Sequence, residues 1–283
     1  MRELARLDAQ TLRLVARRDM TTGLAGAYRS AFRGRGLTLE ELREYVPGDD
    51  VRWIEWNATA RFARPIIKQM REERDLVVAL LVDVSGSLSF GSGGTPKRVS
   101  AIRAAAALAY AALAAQDRVG VATFASDALE RVDPGRGPVH LERVLRALAG
   151  TSGGSPTDAT PVLRWAIRTL PRHSLVLLVS DLLFPDPGAA LRRCARKHEL
   201  VVLRIADPAD ELPPRIAPIR AYPMEGGPSL LLRRGGPGPS EKKDSVSEQE
   251  LRRIGADVGT LWTGPRLLPS LRSFLESHPK RAA

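Results

Sequence analysis

Five oxygen-bearing side chains, far apart along the chain, share one chemistry. The first three lie in DVSGS, Asp83-Val84-Ser85-Gly86-Ser87, directly after the apolar run 76–82. A strand that stops at Asp83 delivers a carboxylate and two hydroxyls, at positions i, i+2 and i+4, into one tight turn where they converge. All are hard oxygen donors of the kind that Mg²⁺ or Mn²⁺ takes, with water and one further acidic oxygen completing an octahedron. GGSPTD places Thr157 just before a helix, and VSDLLF places Asp181 at the end of the run 174–180. Asp-x-Ser-x-Ser alone is a weak signal. Followed by a Thr and an Asp, each at a strand end or a helix start, it becomes a specific one. The competing structural account has Ser85 and Ser87 capping the next helix and Asp181 capping another.

Other chemistries each lack a part. A phosphoryl-transfer enzyme of the haloacid-dehalogenase type needs a second Asp two residues after the first, and Ser85 stands there. GSGGTPKR lacks the adjacent Gly-Lys pair that cradles phosphates, and VDVSGS is no G-x-S-x-G nucleophile elbow. His140, His173, His198 and His278 show no close metal-binding spacing and read as surface or packing residues. The expectation is therefore a binding protein and not an enzyme. A metal-dependent, phosphatase-like hydrolase stands as one alternative and a basic nucleic-acid-binding protein as another. The second rests on charge alone. The formal net charge is +11, yet residues 1–74 hold 15 Lys+Arg against 11 Asp+Glu and the remainder hold 28 against 21, so no basic tail stands out. Acids sit beside most arginines, as in REERD, which describes a solvated surface of mixed sign.

The elements that must position these residues alternate from residue 75 onward. LVVALLV (76–82), VGVATF (119–124), SLVLLVS (174–180) and ELVVLRI (199–205) are continuous apolar runs of strand length. Arg98 to Ala115, His140 to Leu148, Pro161 to Leu170 and Gly188 to Lys197 read as helices between them. This predicts an α/β fold, a mostly parallel, doubly wound sheet with right-handed crossovers. In such sheets the binding crevice lies at the carboxyl ends of the strands, where Asp83 and Asp181 stand. DPADELPPRIAP and GGPGPSEKKDS, rich in Pro, Gly and charge, flank short strand-like pieces at 219–222 and 229–233. They predict a late inserted hairpin over about 207–246. Ser247 with Glu250 then opens a helix with a capping-box pattern, and VGTLW and RLLPSLRSFLESH supply a last strand and helix. The longest uncharged apolar runs fall short of the ~18 to 20 residues of a membrane-spanning helix. MRELARLDAQ has no apolar h-region and Cys194 is a single cysteine, so a chain that stays in a reducing cytoplasm is expected.

Ahead of the first strand, VPGDD offers a Pro47-Gly48 turn followed by Asp49 and Asp50. VRWIEW then alternates so that Val51, Trp53 (or Ile54) and Trp56 form one short strand. Arg43, Arg52 and Arg61 have Asp49, Asp50 and Glu55 as partners for a charged network. Such a network either pins this segment against the sheet or presents a second partner surface around Trp56. Adjacent carboxylates point apart in an extended chain, so a metal site is not expected here.

The three oxygen-bearing segments resemble the metal-ion-dependent adhesion site of von Willebrand factor A domains. Residues 34–75, GRGLTLEELREYVPGDDVRWIEWNATARFARPIIKQMREERD, are similar to the signature of the bacterial domain-of-unknown-function family 58. The likeness runs on through Lys97, DRVG, Thr157-Asp158 and ADPADELP, over roughly residues 25–277. GGSPTD is a lengthened form of that family's short Gly-Gly-Thr-Asp loop, and many of its members carry membrane helices ahead of the signature. The resemblance implies a von Willebrand factor A-like domain over 75–283, with an N-terminal helix and signature segment, 1–74, packed on that core. It implies that Ser85, Ser87 and Thr157 bind Mg²⁺ or Mn²⁺ directly and Asp83 and Asp181 often through water, a partner's Glu or Asp supplying the last ligand. The implied partner is a MoxR-type AAA+ ATPase, in the assembly or remodelling of protein complexes.

Overall fold

The computed structural model describes residues 8–19, 23–32, 37–72, 76–92, 94–125, 130–150, 157–211, 219–221, 230–232 and 246–278. The chain enters through two helices, α1 (Ala9–Asp19) and α2 (Ala25–Phe32), then β1 (Leu37–Glu44), α3 (Trp56–Phe62) and β2 (Ile66–Glu72). From there it alternates through β3 (Val77–Asp83), α4 (Lys97–Ala114), β4 (Arg118–Phe124), β5 (Arg131–Gly135), α5 (Pro138–Ala149), α6 (Thr160–Thr169), β6 (Leu175–Ser180), α7 (Ala189–Lys197) and β7 (Glu199–Ala206). A short helix, α8 (Pro208–Glu211), opens the insertion, in which β8 (Ile219–Ala221) pairs antiparallel with β9 (Leu230–Leu232). The remainder of the expected hairpin, and most of the GGSPTD loop before Thr157, lie outside the described residues. The chain closes through α9 (Glu248–Arg253), β10 (Asp257–Trp262) and α10 (Leu267–Ser277).

The central sheet has six strands in the order β10-β7-β6-β3-β4-β5, all parallel except the edge strand β5. The expected mostly parallel α/β architecture is present. Because side chains alternate along a strand, β3 feeds two cores. Val78, Leu80 and Val82 pack on the side covered by α1, α2, α4, α5 and α10, while Val77, Ala79 and Leu81 pack on the side of α6, α7 and α9. The buried face of α4 is mostly alanine, at Ala101, Ala104, Ala105, Ala109 and Ala112, and such small side chains let the helix lie close on the strands. The N-terminal helices are tied to α4 and the turn after it. Both carboxylate oxygens of Asp19 accept from the Arg103 guanidinium at 2.7 Å, and the Tyr28 hydroxyl donates to Asp117 at 2.9 Å. Among the described residues no helix is long and apolar enough to cross a membrane.

Two features depart from expectation. Residues 51–56 do not form a strand: Val51–Trp53 is a 3-10 turn, Ile54 makes one isolated bridge to Ile67, and α3 begins at Trp56. The acids decide this, since Asp50 accepts from Arg52 N at 3.0 Å and Glu55 from Asn57 N at 3.3 Å. Short-range acceptors satisfy the N–H groups that open a turn or a helix, and that competes with strand pairing. The flanks of this segment pair instead, β1 running antiparallel to β2 as a separate two-stranded sheet. The second departure is β5, an edge strand absent from the expected set.

Candidate metal centre

Strand β3 has β4 on one side and β6 on the other, so successive connections leave it in opposite directions. A crevice opens at the carboxyl ends where such a reversal occurs. Asp83, the last residue of β3, reaches it buried, at 1% exposure. Its Oδ1 accepts from Ser85 N at 2.9 Å and its Oδ2 from the Ser180 hydroxyl, at the end of β6, at 2.5 Å. Ser85 Oγ lies 3.0 Å from Ser87 Oγ. Ser85 makes no capping hydrogen bond to the 3-10 turn Gly86–Ser89 that follows it. Its hydroxyl is turned to Ser87 and away from the helical N–H groups that a capping role requires.

Asp181 follows β6 directly and is also buried. Leu183 N donates to its Oδ1 at 3.2 Å, while its Oδ2 has no hydrogen-bond partner and lies 4.0 Å from the Lys97 ammonium. The next residue, Leu182, is held in the left-handed region at φ 63°, with its N–H donating to Ser180 Oγ at 2.9 Å. A branched side chain in that region costs of order 1 kcal/mol, a strain of the kind that clusters at functional sites. Burial first, and then the charge of Asp181, raises the Asp83 carboxyl well above the ordinary carboxylate range. Asp181 is raised by burial as well, against the opposing pull of the Lys97 charge and of the hydrogen bond from Leu183 N.

Thr157 stands beside the carboxyl end of β4, because Asp158 N donates to Ala125 O at 3.4 Å and Phe124 O in turn accepts from Val84 N at 2.9 Å. Its Oγ1 is buried and has no hydrogen-bond partner. Asp83, Ser85 and Ser87 thus share one cluster of hydrogen bonds, Asp181 follows the Ser180 that donates to Asp83, and Thr157 stands at the same edge of the sheet.

Lys97 and the segment around Asp210 carry no assigned chemistry in the sequence alone. Lys97 opens α4 and Asp210 lies in α8, and their side chains meet at 2.8 Å. Asp207, fully buried, accepts from Ser92, Thr263 and Ala209 N, and Asp210 accepts from Asp207 N at 2.8 Å. A basic residue at the first turn of the helix after DVSGS was the one local sign of this pairing, because that end of a helix ordinarily favours acids.

The signature residues form local pairs with one another. Gly48, at φ 111°, completes the turn in which Asp49 N donates to Val46 O at 3.0 Å. Arg43 grips both oxygens of Asp49 at 2.7 Å, and Arg52 holds Asp50 with its guanidinium and backbone N–H, drawing that carboxyl down to about 2. Glu55 goes to Lys68 of β2 and not to an arginine. Arg61 is exposed on α3, and Trp56 is 70% exposed. A further group, missed in the sequence, lies at the opposite edge of the sheet. His278 Nε2 is 3.4 Å from Glu199 and 3.8 Å from Asp257, the first residues of β7 and β10. The three are far apart in sequence, and only the parallel register of β7 and β10 brings the two acids together. His278 also packs on Phe32 and Phe274, and the ligand atoms of Glu199, Asp257 and His278 all lie within 4.8 Å of one another, close enough to hold a metal ion.

Comparison with known proteins agrees on the family. The family model described as "Protein of unknown function DUF58" matches residues 41–235. Uncharacterized proteins of Mycobacterium tuberculosis and Mycobacterium bovis are each 32% identical over 287 residues, covering 96% of this chain and 89% of the relative. Among solved structures, the SpRpn10 VWA domain is similar at 10% identity with a TM-score of 0.46, covering 69% of this chain and 93% of that one. An aerotolerance-related membrane protein from Bacteroides fragilis is similar at 17% identity and a TM-score of 0.43, covering 70% and 99%. A von Willebrand factor type A structure from Catenulispora acidiphila is similar at 13% and 0.42, covering 72% and 42%. With the family model spanning most of the chain and relatives aligned along nearly all of it, the chain belongs to the DUF58 family.

Proposed function

We propose that this chain is a metal-ion-dependent protein-binding module. On this reading Ser85, Ser87 and Thr157 hold Mg²⁺ or Mn²⁺ directly, and Asp83 and Asp181 hold it directly or through water. The observation that carries it is the pair of buried oxygens without hydrogen bonds, Thr157 Oγ1 and Asp181 Oδ2, at the edge where Asp83, Ser85 and Ser87 converge. Leaving a buried acceptor unsatisfied costs about 1–3 kcal/mol, so such atoms call for a ligand. The donor set fits the group. Every ligand is a hard oxygen, and a divalent cation is the kind of charge that would hold the buried Asp83 and Asp181 carboxyls ionised against the burial that raises them. When bound, the cation supplies a Lewis-acidic position for an incoming carboxylate.

The partner that suits such a position is a protein with an exposed Glu or Asp, and the family resemblance names a MoxR-type AAA+ ATPase. A net charge of +11 raises the rate at which an acidic surface arrives more than it raises final affinity. The test is a pull-down with and without EDTA, using the wild type and the Ser85→Ala, Ser87→Ala double variant. Capture should need divalent metal and should weaken in the variant with the fold intact. Capture that persists unchanged in EDTA and in the variant overturns the proposal and moves attention to the segment around Trp56.

A further inference from the structure

Lys97 brings a cation of its own to this site. Its side chain is 5% exposed, and an ammonium so deeply buried needs anionic partners to offset lost hydration. One carboxylate would serve. The structure supplies two: Asp210, at 2.9 and 2.8 Å, and Asp181, whose unbonded Oδ2 is 4.0 Å away. The position is held from both ends. Lys97 N donates to Phe90 O at 2.8 Å, which anchors the start of α4 to the turn after DVSGS. Asp210 is braced by Asp207 N at 2.8 Å, and Asp207 is itself bound to Ser92 and Thr263.

We propose that Lys97 is the internal counter-cation of the site. Without a divalent ion its charge is shared between Asp181 and Asp210, and with one bound its charge falls to Asp210 alone. The inference rests on the metal-binding reading above and specifies what sets its affinity. A divalent ion held by Asp181 must sit close to the ammonium, and like charges at such distances repel strongly in a buried site. Asp210 makes this tolerable because it keeps a full ion pair with the ammonium from a turn already fixed by hydrogen bonds. Lys97 therefore lowers metal affinity, stabilises the metal-free fold, and ties the site to α8, where the inserted segment begins.

The experiment is a calorimetric titration of the full-length chain with Mn²⁺, alongside thermal scans, for the wild type, Lys97→Met and Asp210→Asn. Removing the ammonium should tighten Mn²⁺ binding by at least about tenfold. It should also lower the metal-free Tm and enlarge the Tm gain on adding Mn²⁺. Asp210→Asn leaves the ammonium to Asp181 alone and should weaken binding, the opposite sign. If Lys97→Met does not fold without metal, recovery of the fold with Mn²⁺ supports the proposal and failure to recover overturns it. Wild-type binding with equal or weaker binding by Lys97→Met overturns this inference alone. No uptake of Mn²⁺ by the wild type overturns the metal-binding reading, and this inference with it.

Discussion

Thr157 and Asp83 are both buried and polar, but the protein treats them differently. Asp83 is hydrogen-bonded within the protein, taking one bond on each oxygen from Ser85 N and Ser180 Oγ, whereas the Thr157 hydroxyl takes none. Replacing each therefore has a different signature. Thr157→Val removes an unsatisfied hydroxyl at nearly constant shape, so the metal-free chain should keep its stability or gain about 1 kcal/mol. The same change should shrink the rise in Tm that Mg²⁺ brings. Asp83→Ala should abolish that rise, which for the wild type at roughly a hundredfold excess over Kd corresponds to about 2.7 kcal/mol. Thermal scans with and without Mg²⁺ measure both. Identical responses of wild type and Asp83→Ala would remove Asp83 from the site.

Elements hold these residues by close approach, and the sequence marks some of the places where it happens. In β10 the ideal Cβ of an alanine at Gly259 would fall 2.3 Å from Phe274 Cδ2, a ring carbon of α10. Gly259→Ala should therefore lift α10 from the sheet and cost about 1–3 kcal/mol, seen as a lower denaturant midpoint. An unchanged midpoint would mean that the helix is not seated there. The capping box of α9 was legible residue by residue, and Ser247 and Glu250 exchange both of its bonds. Strand β5 was not. Its Pro134 and half-exposed pattern blur the alternation that identifies strands, and proline is tolerated there because the strand lies at an edge. The β1–β2 pair was hidden in the same way, since charged stretches such as LTLEELRE carry no strand period and pair only once the intervening turns bring them together.

Over the whole molecule, the pH response follows from which groups the fold buries. His198, between α7 and β7, is buried, and this burial with the nearby Lys197 ammonium pulls its imidazole down to about 4. A folded value below the unfolded one, about 6.5, means that the unfolded chain binds the extra proton. The stability from neutral His198 is thus complete above about pH 6.5 and is lost as pH falls towards 4, a change of up to about 3 kcal/mol. His198→Gln should flatten the fall in unfolding free energy between about pH 6.5 and 4.5, as measured by denaturant titration. Equal slopes in variant and wild type would show that other groups carry the acid limb.

Local chemistry was enough to determine the alternating strands and helices and the pairing pieces of the late hairpin. It was also enough to put Asp83 and Asp181 at strand ends, because burial of both sheet faces demands apolar runs and their ends are where polar residues resume. It located the oxygen-bearing segments at one edge of the sheet, since parallel strands all finish there. What the tertiary structure decided is how charges are shared across that edge. Lys97 and Asp210 are 113 positions apart, as Asp83 and Ser180 are 97 apart, and no periodicity or local propensity encodes such pairs. Their meeting depends on strand order and on the angle at which α4 and α8 leave the sheet. Only the folded chain could reveal that the site already contains a cation.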